Sequence, residues 1–134
     1  MSQENVDLVR RAVNAWNPGG VEPMLRFYSE DAVWFPFPDA PESTTGFRGH
    51  DGIRKLMGDL TSSFESFDVA THEIRDLGDT VLWFGEMSGA IKGSSAPIRQ
   101  TMASVASDFR DGRIGTARFF PSWEEALEAV GLRE

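Results

Sequence analysis

The sequence predicts an α+β fold in which a strongly curved, mainly antiparallel sheet wraps around about three helices, with a short helix at the C-terminal end. Three observations carry that prediction. Apolar residues recur at spacings of three and four through most of the first 64 positions. From Phe67 onward the apolar residues fall in long strand-like runs separated by turn residues. The last third reads as strand, Arg110-Asp111-Gly112-Arg113 turn, strand, and a helix opened by Ser122 with Glu125 three places later. Asp-Gly between apolar strands supplies the positive backbone angles of a two-residue hairpin turn, and the Ser/Glu pair is a capping box.

Taken in order, Val6, Val9, Val13 and Trp16 form one stripe, which predicts a helix over Gln3 to Trp16 ended by Asn17-Pro18-Gly19-Gly20. A shorter helix fits Val21 to Tyr28, because Pro23 is tolerated in a first turn. Asp31 to Phe37 reads as a strand interrupted by Pro36 and Pro38, and Asp39 to Gly49 as a loop. Asp51 to Phe64 is helical again, with Ile53, Leu56, Met57, Leu60 and Phe64 on its apolar face. Phe67 to Leu77, Thr80 to Ile91, Ile98 to Phe109 and Ile114 to Phe120 make a four-strand meander. The strand around Trp83 is apolar on both faces: Val81, Trp83, Met87 and Ile91 on one, Leu82, Phe84, Glu86, Ser88 and Ala90 on the other. Either helices or a second subunit must cover the outer one. Gly85 and Gly89 suit a bend or a close backbone approach.

With 134 residues, positions 1–134 form a single domain. A formal charge of −8 repels phosphate and anionic lipid, so neither nucleic acid nor membrane is an expected partner. The chain has no cysteine, which removes disulfides, thiolate metal sites and thiol nucleophiles. The polar start Met1-Ser2-Gln3-Glu4-Asn5 does not read as a leader, and the expected location is cytoplasmic. Ten Phe, four Trp and one Tyr point to an interior built from large flat side chains.

The order of elements, the Phe-Arg-Gly-His-Asp-Gly-Ile run at 47 to 53, and the Phe-Arg-Asp-Gly-Arg-Ile run at 109 to 114 followed by Glu-Ala-Leu-Glu-Ala at 125 to 129 resemble the SnoaL-like branch of the nuclear-transport-factor-2-like superfamily. The resemblance implies a cone-shaped half-barrel with a deep apolar pocket between sheet and helices, and a homodimer through the outer sheet face. Its members include ketosteroid isomerases, polyketide cyclases, limonene epoxide hydrolases and dehydratases, so fold alone does not choose a reaction. The isomerase base, tyrosine and second acid fall at Pro36, Ala12 and near Val105, none of which can act in those roles. The chain has no Arg-x-Asp of the epoxide-hydrolase kind, since Arg99 is followed by Gln100 and Thr101, and its two His and single Tyr fall short of the dehydratase set.

The resemblance places Leu82, Phe84, Glu86 and Ser88 on the pocket side and Trp83 toward the dimer. Glu86 is then either a pocket acid or base, with its pKa raised among apolar groups, or the partner of Arg99 in an ion pair. His50, beside Asp51, is either a titrating group at the pocket mouth or a helix-start residue. Trp16, Phe27, Trp34, Phe84, Arg99, Val105 and Phe119 complete the candidate ligand wall. Asp39 is a turn residue that could swing inward. His72 reads as exposed, and the two histidines lack ligand spacing, so neither metal nor cofactor is expected. Two functions remain open: a pocket for a small, mostly apolar organic molecule, with or without cofactor-free acid/base chemistry, and a non-catalytic dimeric binding or interaction module.

Overall fold

The first helix, α1 (Ser2–Gly19), buries Val6, Val9, Ala12 and Trp16 along one stripe, as their spacing requires. The computed structural model describes residues 2–40, 43–94 and 96–131. α1 runs past Trp16 until Gly20, at φ 76°, turns the chain away. The Gly20 amide closes the end on the Trp16 carbonyl at 2.7 Å.

A short α2 (Val21–Leu25) buries Met24 and Leu25 and gives way early to β1 (Tyr28–Phe35). The sequence reading extends that helix to Tyr28 and starts the strand at Asp31. The difference has a tertiary cause. β1 runs parallel to β6 (Ile114–Phe120), with Tyr28 opposite Ile114, and the Ile114 amide donates to the Phe27 carbonyl at 2.8 Å. That long-range ladder claims residues with local helical periodicity. β2 (Phe47–Arg48) lies inside the predicted loop and pairs with Val33 and Trp34; two residues are too few to show a period.

α3 (Gly49–Thr61) buries Ile53 and Met57 and stops three residues before the predicted end. There the Thr61 hydroxyl donates back to the Met57 carbonyl at 2.7 Å, and Phe64 enters β3 (Phe64–Asp76). β4 (Val81–Ile91) and β5 (Pro97–Ser107) follow, and the sheet has the order β2-β1-β6-β5-β4-β3. All neighbours except β1 and β6 are antiparallel, and the mixed sheet does not close on itself.

The register of β3 against β4 shifts twice, between Phe64 and Ser66 and between Thr71 and Glu73. Gly89 and Gly85 stand close to these shifts. A Cβ on either would collide with a backbone oxygen of β3, Ser66 for Gly89 and Ala70 for Gly85. The extra residues on one strand bend the sheet, and the glycines permit the close approach.

The terminal hairpin and helix form as read. Asp111 and Gly112 take φ 53° and 71°, and Arg110 and Arg113 exchange two backbone hydrogen bonds of 2.9 Å. In α4 (Trp123–Ala129) the Glu125 amide donates to Ser122 Oγ at 3.2 Å, and that hydroxyl donates to Glu125 Oε2 at 2.9 Å.

Two cores result. α1, α2 and α3 pack on the sheet face that carries Trp34, Trp83, Ala106 and Ala117. α4 packs on the opposite face, where Ala126 and Leu127 meet Leu82, Ala103 and Val105, with Phe84, Phe120 and Trp123 beside them. The expectation that Leu82, Phe84 and Glu86 face the pocket and Trp83 faces away is therefore corrected. Strand parity could not settle it, because α4 gives the outer face apolar residues of its own. Among the described residues, no helix is long and apolar enough to cross a membrane.

Candidate ligand cavity

Between the sheet and the first three helices lies an open cavity of about 310 Å³. α1 contributes Val9, Ala12, Val13 and Trp16 at helical spacing, while Met24, Leu56, Met57 and Leu60 come from α2 and α3. On the sheet, alternate residues face it: Phe67 and Val69 of β3, Trp83 and Met87 of β4, Met102, Ser104 and Ala106 of β5, Ala117 and Phe119 of β6. Tyr28 and Trp34 of β1 complete the wall, and Pro36, Phe37, Asp39 and Ala40 form one side of the mouth.

The wall is almost wholly apolar. Asp39, exposed at the mouth, is the only ionisable side chain among the described lining residues besides the Tyr28 phenol. Burial pushes the Tyr28 phenol well above its usual range, so it stays protonated and can donate. Its ring meets Trp34 edge-on at 5.3 Å, and Trp34 lies 4.9 Å from Phe119. Trp16 stands edge-on to Phe67 at 5.6 Å. Of the three tryptophans in the wall, Trp83 donates its indole N–H to Thr71 Oγ1 at 2.8 Å. The indole nitrogens of Trp16 and Trp34 are buried, and neither has a hydrogen-bond partner among the described residues.

The structure thus brings Trp16, Trp34 and Phe119 together on the cavity, with Asp39 at its mouth. Several other expected site residues lie elsewhere. Glu86, Phe84, Arg99 and Val105 share the outer face, one residue out of phase with the lining positions of their strands. There Arg99 donates to Glu86 Oε1 at 2.8 Å, and His72 Nε2 stands 3.4 Å from the same oxygen. The Arg99 hydrogen bond, opposed by partial desolvation, holds the Glu86 carboxyl below its usual range, opposite to the rise expected of a pocket acid. Phe27 packs against the main core without lining the cavity. His50 lies in a separate polar cleft with Glu22, Glu30, Arg54 and Arg113, and its Nε2–H donates to the Tyr28 carbonyl at 3.0 Å.

Sequence reasoning placed methionines on apolar faces but named none of them as a site residue. Met24, Met57, Met87 and Met102 all line the cavity, and each shares the periodicity of an assigned neighbour; Met87 has the parity of Trp83. Flexible, polarisable thioethers let such a wall adapt to a guest.

A curved, open six-stranded sheet carrying three helices over an apolar cavity, with a fourth helix behind, is the nuclear-transport-factor-2-like, ketosteroid-isomerase-like architecture. The chain belongs to the SnoaL-like domain family, whose model matches residues 9–115. Among solved structures it is similar to Bal32a from a soil-derived mobile gene cassette, at 18% identity and TM-score 0.76 over 96% of each chain. It is also similar to a hypothetical protein with a ketosteroid isomerase-like fold from Catenulispora acidiphila DSM 44928, in complex with trimethylamine, at 19% identity and TM-score 0.73 over 94% of this chain and 93% of that one. A third is TerC co-crystallised with polyporic acid, at 18% identity and TM-score 0.73 over 93% of this chain and 98% of the other. No curated protein matches the sequence.

Proposed function

We propose that the protein binds a small, mostly apolar organic molecule between its sheet and helices. The observation that carries this reading is the cavity itself: about 310 Å³, walled by aromatic rings and four methionines, and open at one side. Concave apolar sites of this size with a few placed polar groups are what small-molecule recognition uses. Two of the similar structures were solved with small organic molecules, trimethylamine and polyporic acid, which agrees with the reading. Titration with naphthalene, followed by the fluorescence of the wall tryptophans, tests it. Saturable quenching at one molecule per chain and a thermal upshift that grows with ligand concentration are expected. Quenching that never saturates overturns the proposal.

Asp39 supports a second reading, cofactor-free proton transfer at the mouth, because it is the one carboxylate among the described lining residues. Glu86, held in an ion pair on the other face, takes no part in it. Replacing Asp39 with Asn leaves binding intact on the first reading and abolishes turnover on the second.

We also assign a second copy of the chain to the outer face of β3, β4 and β5. α4 covers Leu82, Ala103 and Val105 there and leaves Ala70 and Thr101 exposed. Light scattering of Thr101→Arg against wild type tests this, and an unchanged dimer mass removes the assignment.

A further inference from the structure

We infer that the ligand is an apolar organic cation, an ammonium carried on a hydrocarbon body, with the body between sheet and helices and the charged end at the mouth beside Asp39. The inference rests on the cavity being a ligand site, and it goes beyond that reading by naming the charge and the orientation of the guest.

The charge of the site is one-sided. Asp39 is the only carboxylate among the described lining residues, and no Arg, Lys or His stands with it there. Its side chain is exposed and forms no ion pair or hydrogen bond with another described residue. Glu22, Asp31 and Glu86 are each held by an arginine, Arg54, Arg110 and Arg99 in turn, whereas Asp39 is left to a guest. The chain as a whole carries −8, a field that draws cations toward its surface and repels anions.

The place of that charge fixes how the guest lies. Deeper in, the wall offers aromatic rings and four thioethers but no counter-charge, so an ammonium there would lose its water with no ion to replace it. At the mouth it keeps part of its hydration and meets the Asp39 carboxylate. Phe37, two residues before Asp39, lines the same side and brings an aromatic ring of the kind that attracts organic ammonium groups. The apolar body then fills the space that Trp34, Phe119 and the methionines wall. A bare metal ion does not fit this site. One carboxylate falls short of the several oxygen ligands such ions take, and no group of three or more His, Cys, Asp or Glu among the described residues supplies them.

Naphthylmethylammonium, naphthylmethanol and naphthoate share one ring skeleton and differ in charge. Titration calorimetry in low salt is expected to rank the ammonium about three- to tenfold above the alcohol, with naphthoate weakest. The ammonium's advantage shrinks as sodium chloride is raised, while the alcohol's affinity holds. Asp39→Asn brings the ammonium to the level of the alcohol without weakening the alcohol. Phe37→Leu reduces the ratio of the two affinities in part, a ratio in which lost packing cancels. Equal binding of ammonium and alcohol by the wild type overturns the inference and leaves the cavity an apolar site. An advantage that survives Asp39→Asn overturns it too, as does tightest binding by naphthoate. Binding by none of the three removes the cavity reading and this inference together.

Discussion

Asn17 and Val69 exchange two hydrogen bonds: the Asn17 Nδ2 donates to the Val69 carbonyl at 2.8 Å, and the Val69 amide donates to Asn17 Oδ1 at 2.9 Å. An amide side chain here completes the outer ladder of β3, the edge strand of the sheet. It also ties the end of α1 to the strand whose Phe67 and Val69 face the cavity, one residue from Trp16. Asn17→Asp keeps the size and removes the donor, placing a charge against a carbonyl. The expected loss is about 1–2 kcal/mol in denaturant unfolding, with faster hydrogen exchange at the Val69 amide. Unchanged exchange there would show that the pair does not hold the edge.

Two glycines, one in the sheet and one in α3, respond to an added methyl group with opposite signs. Gly85→Ala drives a Cβ against the Ala70 carbonyl and the Trp83 ring, so a loss of about 1–3 kcal/mol is expected. Gly58, in α3, has nothing within 4 Å of an added Cβ and no positive φ. Gly58→Ala is expected to stabilise by about 0.5–1 kcal/mol through helix propensity and a less flexible unfolded chain. Melting curves of the two variants decide the matter, and equal shifts would count against the close approach at Gly85.

How far the sequence revealed this molecule depended on whether each signal was local. The Asp111-Gly112 turn and the Ser122 cap were legible because each depends on a few adjacent residues. The start of β1 was not, because its parallel partner Ile114 lies far along the chain. Trp16 lies on the cavity wall, the side toward which its helical stripe turns, because such a stripe has one apolar side. Glu86 and Val105 were misplaced because β4 and β5 are apolar on both faces, so alternation gives two equal solutions. Leu127 of α4, packed on the outer face, is the residue that breaks the tie, and only the tertiary structure supplies that contact.

The Glu86–Arg99 pair gives an acid dependence whose sign follows from its geometry. Arg99 lowers the Glu86 carboxyl in the folded state relative to the unfolded chain. The pair's contribution is therefore complete above the unfolded glutamate's value and is lost as pH falls through the lower folded value. Arg99 is 71% exposed, so the effect is small and weakens with salt. Glu86→Gln is expected to flatten the acid end of the stability profile slightly and to leave naphthalene binding unchanged. A large loss of binding would return Glu86 to the ligand site.

Ser122→Ala removes the side-chain acceptor for the Glu125 amide and the hydroxyl that donates to its carboxylate. A lost cap costs about 1 kcal/mol. Because α4 buries Ala126 and Leu127 against Leu82 and Val105, fraying of the helix is felt across the outer core. A melting temperature lower by about 3–5 °C is expected for a chain of this length, with no change in ligand affinity, since none of these residues lines the cavity.

Ala12 offers the converse experiment. It is buried on α1 and lines the cavity. Ala12→Leu adds three carbons at the cavity wall. Burying them contributes up to about 2 kcal/mol, at roughly 0.8 kcal/mol per carbon, so the melting temperature of the free protein rises. The same carbons occupy volume that a guest needs, so naphthalene affinity falls. Stability and binding therefore move in opposite directions, the behaviour of a site kept open at some cost to the fold. A variant that loses stability on this change would show that α1 packs too tightly on the sheet at Ala12 to leave a guest room.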